Sequence, residues 1–231
     1  MPVGLITGAS KGLGRALATH LAASGWDLVI DARHATPLFA VAEELGPAVT
    51  ALAGNVADEN HRTAVADAIE ALGGIDLLVN NASTLGPLPR PQLDSFDATD
   101  LEDVYRVNVF APLALTQRLL RFLKRASGTV VNITSDAAVE PYEGWGGYGS
   151  SKAALDQVTA ILGAELPELH VYSFDPGDMR TEMQQQAFPG EDISDRADPE
   201  SVVPALMRLI SERPPSGRYK ASDLLVAAGG R

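Results

Sequence analysis

Residues 3–14 read V-G-L-I-T-G-A-S-K-G-L-G, and the parsing of this stretch decides the fold. Val3 to Thr7 is a short apolar run that passes directly into Gly8, Gly12 and Gly14, then into an amphipathic segment through Ala23 that stops at Gly25. The pattern predicts strand, glycine turn, helix. Glycines at these positions permit a tight turn and a close approach of backbone to ligand, while the helix start offers unpaired N–H groups at the positive end of its dipole. Ser10, Lys11 and Leu13 belong to the same turn, and a diphosphate fits it. The spacing is GxxxGxG rather than the commoner GxGxxG. The same residues also spell G-x-S-x-G over Gly8 to Gly12, the nucleophile elbow of α/β hydrolases, which needs an acid and then a histidine downstream of Ser10. Only His61 or His170 could close that triad. The third glycine and the first-strand position favour the phosphate cradle.

Outward from the turn, strands alternate with helices of about a dozen residues: Asp27–Asp31, Ala48–Ala53, Ile75–Asn80, Gly128–Thr134 and Leu169–Asp175 as strands, with Asp223–Ala227 as a last one. Such alternation predicts an α/β, doubly wound parallel sheet with helices on both faces. Ligands of these sheets bind at the carboxyl edge. That edge carries Asn55 and Val56 after the third strand, and Asn80, Asn81, Ala82 and Ser83 after the fourth. At the tip of the second strand an acid selects NAD, and an arginine nearby accommodates the 2′-phosphate of NADP. Ala32 falls at the acid position with Arg33 beyond it; a one-residue slip would restore Asp31 and NAD. Lys11, Arg15 and Arg33 then predict a basic pocket, and NADP(H) is preferred over NAD(H).

The stretch E-G-W-G-G-Y-G-S-S-K-A-A-L from Glu143 to Leu155 holds the chemistry. Four residues separate Tyr148 from Lys152, so a helix sets phenol and ammonium on one face. Bringing a phenol from about 10 to neutrality takes roughly 4 kcal/mol, which one cation about 4 Å away supplies at an effective dielectric of about 20. Lys152 is thus expected to make Tyr148 a proton donor and acceptor at working pH. Ser135, at the exit of the fifth strand, can hydrogen-bond a bound carbonyl. Leu101 to Ala126 predicts a long helix kinked at Pro112, which leaves the Asn108 carbonyl free for a water. The segment 182–197 lacks periodicity and reads as a loop or lid, and Asp198-Pro199 starts a helix through about Arg213. Tyr142, Trp145, Met179 and Met183 suggest an apolar wall for a small carbonyl compound.

Composition narrows the classes. The chain has 231 residues, a formal charge of −12, no cysteine and four scattered histidines. One domain spanning 1–231 is expected, with no nucleic-acid or anionic-membrane partner, no metal site, no disulfide, no secretion signal and no membrane span. The expected location is cytoplasmic.

Together these residues resemble the short-chain dehydrogenase/reductase family. Thr7-Gly8 through Gly14 is similar to its TGxxxGxG, Asn80-Asn81-Ala82 to its NNAG, and Pro176-Gly177 with Thr181 to its PGxxxT. Asn108, Ser135, Tyr148 and Lys152 match its catalytic tetrad. The resemblance implies a seven-stranded Rossmann sheet of order 3-2-1-4-5-6-7 and an NADP(H)-dependent oxidoreductase acting on a carbonyl or secondary alcohol. It implies that Tyr148 exchanges the proton, Ser135 orients the carbonyl, Lys152 lowers the tyrosine pKa and holds the nicotinamide ribose, and Asn108 holds a relay water. It also implies a homodimer or homotetramer. Ser83 departs from the glycine of NNAG, and Asn55 stands where the family usually has Asp. A cofactor-bound sensor without chemistry is the competing reading; it should have lost Tyr148 or Lys152.

Overall fold

The computed structural model describes residues 1–226. Seven parallel strands form one sheet of order β3-β2-β1-β4-β5-β6-β7. They are β1 (Val3–Ile6), β2 (Asp27–Ala32), β3 (Val49–Ala53), β4 (Leu77–Asn80), β5 (Thr129–Ile133), β6 (His170–Asp175) and β7 (Gly217–Lys220). The helices are α1 (Gly12–Ala23), α2 (Ala35–Leu45), α3 (Glu59–Ala71), α4 (Ala98–Tyr105), α5 (Ala111–Ala126), α6 (Gly146–Glu165), α7 (Glu182–Ala187), α8 (Pro199–Glu212) and α9 (Ala221–Val226). The sheet is the doubly wound Rossmann arrangement that the alternation predicted. β1 and β4 lie side by side although three helices, α1 to α3, and two strands separate them in sequence, so the strand order reverses beside β1. A crevice opens at the carboxyl ends of these strands.

Both sheet faces are apolar because every central strand is buried on both sides. One core joins Ile6, Leu28, Ile30, Val79, Val131 and Phe174 to α1, α2 and α8 through residues such as Leu17, Leu38 and Leu206. The other joins Leu5, Val29, Leu78, Val130 and Val171 to α3 and α5 through Val65, Ile69, Leu115 and Leu119. Each strand thus sends alternate side chains to opposite layers.

Three local expectations change. The last strand is Gly217–Lys220 rather than 223–227: Tyr219 on β7 donates its hydroxyl to the Pro215 carbonyl, and the neighbouring Tyr172 of β6 donates to Pro214. The apolar run expected as a strand instead forms α9, with Leu224 packed on the core, and Ala227 lies outside the described residues. Within 182–197, residues 182–187 are helical because the Thr181 hydroxyl accepts from the Gln184 N–H as a cap. The break expected in the long helix is a π-turn, Arg106–Phe110, which places Pro112 in the first turn of α5, where no intrahelical donor is needed.

Leu206 is completely buried between α8 and the sheet. Leu206→Ala is expected to cost about 2–5 kcal/mol, measured as a lower urea midpoint at unchanged slope. A loss below about 1 kcal/mol would contradict this packing.

Candidate active site

A cleft of about 1010 Å³ runs along the carboxyl edge. Gly8, Ser10, Lys11, Gly12, Leu13, Arg33, Asn55, Val56, Asn81, Ala82, Ser135, Tyr148, Lys152, Pro176, Gly177 and Thr181 all line it. Of the residues expected at the site, only Gly14 and Asn108 stand behind its wall. Among the described residues no group of three or more His, Asp or Glu side chains is disposed to hold a metal. No helix there is long and apolar enough to cross a membrane.

The glycine turn is bolted to the end of β4. Gly8 and Gly12 take φ of +66° and +57°, which side-chain-bearing residues rarely adopt. The Asn81 amide donates to the carbonyls of Thr7 and Gly8 at 2.8 and 3.0 Å. The Thr7 hydroxyl accepts from the N–H groups of Asn81 and Ala82. A Cβ on Gly14 would fall 2.6 Å from both the Asn81 amide and the Gly8 carbonyl, so this glycine serves close packing.

Asp31 is spent inside the fold. Its carboxylate accepts from the Gly8 N–H at 2.9 Å and pairs with His61 Nε2 at 3.2 Å, leaving Ala32 as the last residue of β2. The hydrolase reading would need this histidine, or His170, to reach Ser10. His61 Nδ1 is pressed against Gly54, where a Cβ would lie 2.2 Å away, and among the described residues Ser10 has no hydrogen bond to a histidine. The expected basic pocket is only partly free: Lys11 pairs with Glu182 at 2.6 Å and Arg15 with Glu44 at 2.7 Å. Arg33 has no carboxylate partner among the described residues.

Tyr148 and Lys152 share the cleft face of α6, with the Lys152 Nζ 5.5 Å from the phenol ring centroid. That ammonium is 2% exposed and donates to the Ile133 carbonyl at 2.7 Å. Burial brings its pKa down to about 8, partly offset by Asp156. Part of the Tyr148 side chain faces the open cleft, yet protein packs densely around it, and this desolvation raises the phenol above its usual value. Hydrogen bonds with Ser135 and Ser83 oppose the rise, while the charges of Asp136 and Asp175 add to it. In the cofactor-free cleft, desolvation is the largest influence on the phenol and acts against the lowering expected from Lys152.

Asn108 is fully buried and its side chain is fully hydrogen-bonded. Its amide donates to the Thr84 carbonyl and the Ser151 hydroxyl, each at 2.9 Å, and its oxygen accepts from Thr84 N–H and the Ser83 hydroxyl. It thereby ties the segment after β4 to α6. Two contributors were missed from sequence. Ser83 touches both Asn108 and Tyr148. Arg218, on β7, donates to the Ser135 carbonyl at 3.0 Å while pairing with Asp175 and Asp156. Only the departure from NNAG flagged Ser83; nothing local flagged Arg218.

A crevice at the switch point of a doubly wound sheet, with a glycine turn at one end and a Tyr/Lys pair at the other, defines a nucleotide-binding Rossmann protein. Comparisons with known proteins give the family. The profile described as short chain dehydrogenase matches residues 2–192. Sepiapterin reductase of Meriones unguiculatus is 37% identical over 199 residues, covering 79% of this chain and 76% of its own. Serine 3-dehydrogenase of Agrobacterium fabrum is 38% identical over 182 residues, covering 77% and 72%. A short chain dehydrogenase from Escherichia coli CFT073, solved with NADPH, superposes with a TM-score of 0.86 at 29% identity, covering 95% and 96%. The chain belongs to the short-chain dehydrogenase/reductase family of oxidoreductases.

The depressed lysine makes a stability prediction. Below about pH 8 folded and unfolded states both carry the ammonium, so the cost of burying charge is fully present. Between about 8 and the ordinary 10.5 the folded state sheds its proton first and the cost fades. Over that interval wild type should gain thermal stability relative to Lys152→Met; a pH-independent difference would contradict the buried ammonium.

Proposed function

We propose that the protein exchanges a hydride between NADP(H) and a carbonyl or secondary alcohol, with Tyr148 as general acid and base. The observation that carries this reading is the placement of Tyr148, Ser135 and Lys152 on the wall of one cleft whose far end holds the glycine turn and the unpartnered Arg33. The residues fit a dinucleotide. Backbone at Gly8, Ser10, Lys11, Gly12 and Leu13 would take the diphosphate, Asn55 and Val56 the adenine end, and Arg33 the 2′-phosphate. Asn81, Ala82, Pro176, Gly177 and Thr181 would flank the nicotinamide half, and Lys152 its ribose. The E. coli relative's binding of NADPH supports the preference.

When bound, the nicotinamide supplies or accepts the hydride. The phenol, kept protonated by burial, donates to the carbonyl oxygen as that oxygen gains charge, and the Ser135 hydroxyl steadies the same atom. Lys152, with a pKa of about 8, can return a proton within the working range. Asn108 and Ser83 hold the phenol and α6 in register. Residues 182–197 would shape the substrate entrance of a single NAD(P)-binding domain. The reading includes a small-molecule substrate, a homodimer or homotetramer and a cytoplasmic protein; exposed Phe110 and Ile161 on the α5 and α6 side support self-association.

Tyr148→Phe should lower NADPH-dependent reduction of a diketone by about 10²–10⁴-fold, measured as loss of NADPH absorbance; equal rates in the two proteins would sink the mechanism. Arg33→Ala should raise KM for NADPH about tenfold or more while leaving KM for NADH near its wild-type value. Equal affinity of wild type for the two cofactors would overturn the NADP(H) preference.

A further inference from the structure

Arg90 lies in the segment between β4 and α4 and reaches the cleft wall. Its guanidinium carbon sits 4.0 Å over the Trp145 ring and 5.4 Å from the Phe188 ring, so two aromatic faces hold it in place. Its Nη1 is buried without a hydrogen-bond partner. Among the described residues no carboxylate lies within ion-pair distance of it, in a chain with 30 acidic against 18 basic side chains. The nearby acids are engaged elsewhere: Asp136 with Ser135 and Tyr142, Glu143 with Gln92, Glu182 with Lys11. On the same cleft wall, Gln184 Nε2 is also buried and unpartnered.

Two donors without acceptors in one cleft are costly, each by about 1–3 kcal/mol. Partial burial of the guanidinium already lowers its pKa. A ligand that brings a planar, charged acceptor relieves both penalties, and a carboxylate matches the guanidinium fork in shape and sign. Trp145 stands between this point and the acid, its ring 5.6 Å from that of Tyr148. The anion therefore sits across an indole from the reacting carbonyl, with several carbons between them.

We propose that Arg90, assisted by Gln184, selects a carbonyl substrate bearing a distal carboxylate, so that the preferred substrate class is an oxo acid with its two groups several carbons apart. This rests on the reductase reading of the same cleft. The carbonyl carbon gains the hydride from NADPH, its oxygen gains the Tyr148 proton, and the carboxylate is unchanged.

The test compares kcat/KM for 4-oxopentanoate, 5-oxohexanoate and 6-oxoheptanoate with their methyl esters, and includes hexane-2,5-dione. Wild type, Arg90→Met, Arg90→Lys and Gln184→Leu are assayed with NADPH. Wild type should favour at least one acid over its ester by about tenfold or more, carried by KM. Arg90→Met should abolish that ratio, Arg90→Lys should keep part of it, and Gln184→Leu should reduce it. Equal use of acids and esters by wild type, or an unchanged ratio in Arg90→Met, overturns the proposal. Calorimetric binding of the acids to the NADP-loaded protein separates the two ideas. An acid bound by wild type and not by Arg90→Met, yet never reduced, supports the Arg90 subsite and counts against the reductase. Reduction of the dione without binding of any acid does the reverse.

Discussion

An ammonium group shut away from water at the carboxyl end of a parallel sheet, held by a single strand carbonyl, is the constraint on which the site depends. Lys152 can reach Ile133 only if α6 lies close against the exit of β5, and the backbone is built for that approach. A Cβ at Gly149 would meet the Ala137 carbonyl at 2.7 Å, so the helix presses directly on the turn that follows Ser135. Farther along, Asn132 on β5 donates to Thr159 on α6 at 2.8 Å and accepts from Asn80 on β4. These contacts fix phenol, hydroxyl and ammonium relative to one another.

Many polar groups beneath the site are linked to one another by hydrogen bonds. Asn108 joins the segment after β4 to Ser151 on α6, and Ser151 in turn donates to the Tyr148 carbonyl at 2.6 Å. Arg218 brings the edge strand into the same arrangement by holding the Ser135 carbonyl and the carboxylates of Asp156 and Asp175. The active wall is thus assembled from β4, β5, β6, β7 and α6 together. Arg90 differs in its setting: its Nη1 is buried and unmatched on the cleft wall, with no carboxylate within ion-pair distance among the described residues.

Much of this was legible in the sequence because it rests on local pattern. Apolar runs bounded by glycines gave the strands near the carboxyl edge, and the four-residue spacing gave the shared face of Tyr148 and Lys152. β7 escaped because a four-residue edge strand, G-R-Y-K, carries two charges and owes its place to pairing with β6. The run Leu224-Leu225-Val226 looked more strand-like, yet it is helical, with Leu224 on the core and Leu225 and Val226 exposed. Partners distant in sequence, such as Asp31 with His61 or Arg218 with Ser135, leave no local signal. The protonation states escaped for a related reason. Coulomb attraction between Tyr148 and Lys152 follows from spacing alone, whereas desolvation belongs to the packed cleft and is the leading influence on both groups.

The central claim is that burial keeps Tyr148 protonated in the cofactor-free cleft. Carbon-13 labelling at the tyrosine Cζ, with Tyr148→Phe to assign the resonance, measures it directly through an NMR titration of the cofactor-free protein. The account predicts that the Tyr148 signal stays at its phenol position to about pH 10 and beyond, above the ordinary tyrosine midpoint. Conversion to the phenolate between about pH 7 and 8 would contradict it.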